Sequence, residues 1–477
     1  MLHPGPERGI FANRTLNLRS IRAIGYDMDY TLIDYNAEEW ERTAFEHARR
    51  RLADRGLPVD DAVFDHRQVI RGLALDLELG NLVKATRFGY VIHATHGTRP
   101  MEFDELRRAY SGQFVDLAED RYEFVNTLFS LSEASLFAQL VDQLEAGNVQ
   151  EPMGFDDLYA VVRQSVDEVH REGDLKAEIL SDPDRFVRKD AEVVLALRDQ
   201  RRAGKRLVLI TDSEWEYADR VMSYAFDEFL DSGNWRSLFD AIVVSARKPG
   251  FFTERNPLYI VEDEERALLR PHHGAIESGS VFFGGNAAVL EESLGISGAE
   301  ILHVGDHLLS DVRATKAMLR WRTAIVLREL EDEVRAQHDF LPLEEQLREK
   351  MRRKVEMESE ISQLRLVRQR REQGYGPPED TESIDPAAGI ERLLGAVAEL
   401  DQEIAPLAKA ATTLGNEWWG PLMRAGNDKS LFARQMERYA DIYTSRVANF
   451  LFATPYAYIR AARSSLPHDQ VEWIDAE

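Results

Sequence analysis

Four short apolar runs, each closed at its carboxyl end by a polar residue, constrain this chain more than any other feature. They are Ile24-Gly25-Tyr26 before Asp27, Leu207-Val208-Leu209-Ile210 before Thr211, Ala241-Ile242-Val243-Val244 before Ser245, and Ile301-Leu302-His303-Val304 before Gly305-Asp306. Apolar runs of this length without polar alternation read as strands buried on both faces, the pattern of a parallel sheet covered by helices. The expected fold class is therefore α/β with a Rossmann-like core. Open parallel sheets bind ligands beyond the carboxyl ends of their strands, where all four runs place their polar groups. The first strand and its loop end near Tyr35, and the next motif arrives only at Thr211. Roughly 150 residues inserted within that gap far exceed an ordinary crossover, so an inserted cap domain is expected. Helical patterns fill it at Glu39 to Arg55, Glu102 to Leu117 and Ser132 to Leu144.

The chemistry begins with Asp27 and Asp29. Positions i and i+2 of an extended chain share a face, so both carboxylates can look toward one reaction centre. One carboxylate can attack a phosphate ester while the other moves the proton, splitting hydrolysis into two displacements through an aspartyl-phosphate. Close negative charges repel unless a cation sits among them, and Mg2+ takes hard oxygen ligands of this kind. On its own, Asp-x-Asp is also an ordinary strand-end turn or helix cap. Thr211-Asp212-Ser213 offers a hydroxyl and turn amides to phosphate oxygens, and is equally a helix cap. Lys248, after the third run, can neutralise nucleophile and phosphate, or simply be solvated. Asp306 and Asp311, after the fourth run, suit the oxygen shell of a cation.

These segments resemble the four motifs of the haloacid dehalogenase superfamily of phosphohydrolases. The resemblance is closer to one branch, the cytosolic purine 5'-nucleotidases that prefer IMP and GMP. It rests on Gly25-Tyr26-Asp27-Met28-Asp29-Tyr30-Thr31-Leu32, Arg71-Gly72-Leu73, Gly80-Asn81-Leu82-Val83-Lys84, Asn126-Thr127-Leu128-Phe129, Ala246-Arg247-Lys248-Pro249, Gly305-Asp306-His307, Trp321-Arg322-Thr323 and Arg438-Tyr439-Ala440-Asp441. The similarity spans nearly the whole chain, with a weak zone from about Glu331 to Leu414. It implies Asp27 as nucleophile, Asp29 as acid and base, Thr211 and Lys248 as phosphate holders, and a Mg2+ site at Asp27, Asp29, Asp306 and Asp311. Nucleoside phosphotransfer is a side activity that the resemblance permits.

Substrate choice is expected between the first two motifs. Phe155 through Lys176 reads as a helix ending near Gly173, with Arg163, Asp167 and His170 at i, i+4 and i+7 along one face. By itself that face is also a solvated ion pair with a histidine beside it. The resemblance implies that Arg163, Asp167, His170, Lys176 and Phe129 contact the nucleoside, and Ser130, Asp212 and Ser213 are counted with them as substrate contacts. A 6-oxopurine would offer its O6 to Arg163 and its N1–H to Asp167, whereas adenine reverses both polarities. This chain departs from the family pattern at Arg171, Ser130 and Asp212. The family's regulatory nucleotide site is matched at Asn126, Arg438 and Tyr439 but lost at Leu309, Asp116 and Ala317, so activation by ATP-like effectors is expected to be weak or absent.

Composition bounds the rest. A chain of 477 residues with 44% hydrophobic content can bury more than one core. The expected division is a catalytic core at 1–38 and 186–340, a mostly helical cap at 39–185, and a helical extension at 341–477. In the extension, Leu343 to Arg371 and Ile390 to Ile404 read as a helical hairpin joined by Gly374 to Asp380. The aromatic-rich stretch Leu431 to Arg463 is expected to cover either the core or a subunit interface, so a homo-oligomer is expected. The formal charge of −25 argues against nucleic acid polymers and anionic membranes as partners. With no cysteine there is neither a disulfide framework nor a thiolate metal site. The first residues lack a signal-peptide core, and the expected location is the cytoplasm.

Overall fold

The computed structural model describes residues 4–462 apart from 151, 265, 267, 275, 277, 278 and 377–384. A ten-stranded sheet organises it, in the order Ile10–Ala12, Ile442–Thr444, Arg322–Val326, Ile301–Gly305, Ala23–Tyr26, Arg206–Ile210, Ala241–Val244, Val281–Gly284, Leu258–Asp263 and Leu268–His272. From Ile442–Thr444 through Val281–Gly284 every pairing is parallel, and the remaining edge pairings are antiparallel. Ala23–Tyr26, Ala241–Val244 and Ile301–Gly305 are buried at every position, which is why their sequences are continuous apolar runs. The register sets Tyr26 beside Leu209 on one side and Val304 on the other, so the residues that follow each strand emerge along one edge.

Gly25 sits where the neighbouring strands crowd in: a Cβ there would lie 3.0 Å from Ile210 Cδ1 and 3.2 Å from His303 Nδ1. The strand Val281–Gly284 lies inside the sheet, parallel to Ala241–Val244 and antiparallel to Leu258–Asp263. The hairpin Leu258–Asp263 and Leu268–His272 occupies the sheet edge beside it.

The segment between the first two core strands is not purely helical. It contains the helices Ala37–Asp54, Phe103–Tyr110, Leu131–Glu145, Phe155–Glu172 and Asp174–Ser181. It also contains a five-stranded antiparallel sheet ordered Arg99–Pro100, Val91–His96, Asn81–Ala85, Ala74–Asp76 and Tyr122–Phe124. The fully buried Asp76 ties this sheet together, accepting from Arg121 Nε at 2.8 Å, Arg121 Nη2 at 2.7 Å and Tyr110 Oη at 2.9 Å. Gly112, at φ 77°, turns the chain shortly after Tyr110, so that helix stops well before Leu117.

The expected helical extension at 341–477 needs correction. Asp332–Pro421 is a compact unit of its own, and the chain from Leu422 onward belongs with Met1–Glu331. Ile442–Thr444 enters the main sheet because the residue before it, the fully buried Asp441, has cationic and amide partners waiting there. Its carboxylate accepts from Lys316 Nζ at 2.7 and 2.8 Å, Arg322 Nε at 3.0 Å and Thr323 N at 3.0 Å. Of the aromatic stretch, Phe450 is buried, while Tyr456 and Tyr458 are exposed.

The helices Leu330–Gln373 and Pro386–Thr412, which supply most of Asp332–Pro421, form the expected hairpin, packed through Ile361, Leu364, Ile390 and Leu393. Met351 and Val355, on the first of these helices, are exposed. The linker expected from Gly374 to Asp380 is described only as far as Gly376; its remainder lies outside the described residues. Among the described residues, no helix is long and apolar enough to cross a membrane.

Candidate active site

Asp27 follows Tyr26 directly, and its amide donates to the Val304 carbonyl at 2.9 Å, carrying the sheet pairing one residue beyond the strand. Lys248 arrives from Ala241–Val244, two strands away across Arg206–Ile210, through a tight turn in which Ser245 and Arg247 adopt positive φ, 47° and 60°. That turn is braced by Ala246 N to the Thr211 carbonyl and Ser245 N to the Ser213 carbonyl, each 3.0 Å, and by Lys248 N to Asp212 Oδ1 at 2.8 Å. As a result Lys248 Nζ lies 2.8 Å from Asp27 Oδ1 and 2.7 Å from Asp311 Oδ1, its side chain almost wholly buried.

Asp311 is delivered by a wide π-turn, Leu308–Arg313, that starts after His307. Gly305 makes room for it: a Cβ at 305 would stand 2.5 Å from Asp311 Cγ. His303 Nε2, 3.1 Å from Asp311 Oδ1, completes the surroundings.

Asp27, Asp306 and Asp311 each offer a carboxylate oxygen, and these atoms lie within 4.8 Å of one another. Burial pushes the Asp27 carboxyl well up, with Lys248 opposing and Asp311 and Asp306 reinforcing. Burial likewise brings Asp306 to about 7, against the pull of Arg71. Burial would also raise Asp311, but Lys248 and His303 hold it below the usual carboxylate range. For Lys248 burial opposes the charge, and Asp27, Asp311 and Asp212 outweigh it to keep the ammonium. One buried ammonium among three clustered carboxylates leaves excess negative potential, and the donors are all hard oxygens. This set fits a divalent cation such as Mg2+ or Mn2+.

Asp29 is not part of that cluster. Tyr35 Oη donates to its Oδ1 at 2.6 Å and Ser213 Oγ to its Oδ2 at 2.7 Å. Burial raises its pKa in spite of these two donors and of the charges on Lys176 and Lys248. The fully buried Thr211 accepts from the Ser213 amide at 3.1 Å, which leaves its hydroxyl proton to donate elsewhere. Asp212, expected among the substrate contacts, serves as the brace for the Lys248 amide, and Ser213 serves Asp29. The Gly-Asp and Thr-Asp-Ser patterns carry no trace of these pairings in sequence.

A cavity of about 200 Å3 is lined by Phe129, Ser130, Arg163, Asp167 and His170, and its wall includes Asn126 and His307. Phe129 is held edge-on by Tyr30, Trp40 and His170, at centroid distances of 4.7, 5.3 and 5.9 Å. Burial, aided by Lys176, lowers His170 to about 4, so the imidazole is neutral, and its Nε2 has no partner among the described residues. Arg163 pairs with Glu123 at 3.1 Å. Lys176 does not line the cavity; its Nζ sits 5.4 Å over the Tyr217 ring, and its charge is felt by both Asp29 and His170.

Sequence reasoning missed Glu133 and Tyr159, which face the same cavity with the Tyr159 hydroxyl donating to Glu133. Burial brings Glu133 to about 7 despite that bond. Helical spacing from Arg163, at i−4, is the one signal that would have marked Tyr159.

A mostly parallel sheet that gathers three carboxylates and a lysine at its strand ends is the arrangement of a phosphoric monoester hydrolase. Residues 10–471 match the model of the 5' nucleotidase family, and the chain belongs to that family. It is 27% identical over 483 residues to human 5'-nucleotidase domain-containing protein 2, covering 98% of this chain and 86% of that protein. A 5'-nucleotidase domain-containing protein of Dictyostelium discoideum is 26% identical, covering 96% and 74%. Among solved structures, a haloacid dehalogenase-like family hydrolase from Xanthomonas campestris overlaps 64% of this chain and 82% of its own, at 14% identity and a TM-score of 0.25.

Proposed function

We propose that the protein hydrolyses purine nucleoside 5'-monophosphates of the 6-oxo type, IMP and GMP, through an aspartyl-phosphate on Asp27. The observation that carries this reading is the cluster of Asp27, Lys248, Asp306 and Asp311 beside an aromatic-walled cavity, whose lining residue His307 directly follows Asp306. An Asp27 oxygen attacks phosphorus, the bond from phosphorus to O5' breaks, and Asp29 gives its proton to the departing oxygen. The raised affinity of Asp29 for that proton suits a general acid. Asp29 then takes a proton from water, which attacks phosphorus and releases phosphate from Asp27.

Lys248 neutralises charge on the attacking carboxylate and the phosphoryl group, and the Thr211 hydroxyl donates to a phosphate oxygen. Asp27, Asp306 and Asp311 would hold Mg2+, which when bound offsets the mutual repulsion of carboxylates and phosphate. The base would stack on Phe129, with O6 toward Arg163 once it leaves Glu123, and N1–H toward Asp167. Interception of the aspartyl-phosphate by a nucleoside hydroxyl would give phosphotransfer.

Phosphate release over IMP, GMP, AMP, UMP and sugar phosphates, with Mg2+ and with EDTA, tests the reading. IMP and GMP are expected to lead, and EDTA to abolish turnover. A lead for a sugar phosphate would move the substrate class, and no turnover of any ester by folded protein would sink the proposal.

A further inference from the structure

Asp306 is held from outside its own strand. Thr127 begins the short turn Leu128–Ser130, and its buried Oγ1 lies 3.4 Å from the Phe129 amide and 3.1 Å from Asp306 Oδ2. An amide nitrogen can only donate, so the hydroxyl accepts there, and its single proton is committed to the Asp306 carboxylate. Arg71 Nη1 donates to the Asp306 carbonyl at 3.2 Å. The Arg71 guanidinium is itself fixed by Glu329, with Nε 2.9 Å from Oε1 at an angle that makes an ion pair rather than a hydrogen bond. Both Arg71 and Thr127 come from the segment inserted after the first core strand. Residues on either side of Thr127, namely Asn126, Phe129 and Ser130, line the cavity.

We propose that Thr127 is a positioning residue for the cation site: it orients the Asp306 carboxylate from the same turn that walls the cavity. The proposal rests on the reading that Asp306 holds a divalent cation. A charge-assisted bond to a carboxylate that binds metal sets the direction of its free oxygen, and loss of such an outer partner typically weakens metal binding roughly 10–100-fold. Threonine suits this place better than serine or valine alone would suggest, since the site needs a hydroxyl and a side chain that fills a buried position.

The test is Mn2+ binding by titration calorimetry to the full chain, in the absence of any substrate, for the wild type, Thr127→Val and Thr127→Ser. Valine keeps the shape and removes the hydroxyl, and serine keeps the hydroxyl. The expected result is weakening of roughly 10–100-fold for Thr127→Val and an affinity close to wild type for Thr127→Ser. If Thr127→Val does not fold, Thr127→Ala takes its place with the same expectation. Equal Mn2+ affinity in the wild type and the folded valine or alanine variant would overturn the positioning role alone. A wild type that binds no Mn2+ would overturn the cation reading and the proposal with it.

Discussion

At the scale of single residues, burial divides the carboxylates into distinct jobs. Asp311 is held ionised between Lys248 and His303, whereas Asp29, set against two hydroxyl donors, keeps a raised proton affinity. On the proposed mechanism Asp27→Asn removes the attacking charge with little change in size, so turnover is expected to fall on the order of 1000-fold or more while the fold persists; phosphate release paired with a thermal melt measures both. Wild-type activity in that variant would show that Asp27 is not the nucleophile. Glu41 offers a test of a different kind. It is fully buried, accepts from the Ser132 amide at 2.8 Å through Oε2, and leaves Oε1 without a partner among the described residues. Burial brings its carboxyl to about 8, from 4.5. The folded state thus binds a proton that the unfolded chain has lost across that window, so the contribution of Glu41 to stability is complete below about 4.5 and drains away as pH rises through 8. Glu41→Gln, permanently neutral, is expected to lose less of its urea midpoint than wild type between about pH 5 and about pH 8. Parallel pH profiles for the two proteins would contradict this.

At the scale of elements, what could be read from the sequence was what local pattern encodes. The apolar runs before Asp27, Thr211 and Asp306 are strands, and the polar residues following them converge, because the sheet's parallel register leaves no other place for those ends. Helix Phe155–Glu172 was readable from its period and from the terminal Gly173, at φ 87°. Strands of three residues, such as Ala74–Asp76, Tyr122–Phe124 and Ile442–Thr444, are too short to show any period, so the inserted sheet and the C-terminal strand were not readable. Thr127 and Arg71 reach Asp306 across 179 and 235 positions, a relationship that no local window contains. Gly305 is the element-scale residue on which the acid loop turns. A methyl group there overlaps Asp311 Cγ, Oδ2 and Cβ at 2.5 to 2.7 Å, so the π-turn must move. Gly305→Ala is expected to separate Asp311 from Lys248 and lower kcat by at least about 10-fold, with a smaller effect on KM. Unchanged kcat would mean that the loop absorbs the methyl group without displacing its acid.

At the scale of the whole molecule, Asp441 joins distant parts of the chain. Its carboxylate binds Lys316, Arg322 and Thr323, and its carbonyl accepts the amides of Asn13 and Arg14 at 2.9 and 3.0 Å. Removing the carboxylate takes the shared acid from Lys316 and Arg322, whose side chains are 24% and 27% exposed and can turn to water, a loss of roughly 1–3 kcal/mol. Asp441→Ala is expected to show that loss in its urea midpoint, and a midpoint equal to wild type would mean that solvent compensates the cations.

The same junction bears on the order in which the molecule can be finished. Lys316 lies on the short helix Ala314–Leu319 that continues the turn bearing Asp311, so the acid loop leans on a residue translated about 130 positions later. Until the strand after Asp441 has been made, Lys316 has no Asp441 carboxylate to bind, and the loop bearing Asp311 lacks that anchor.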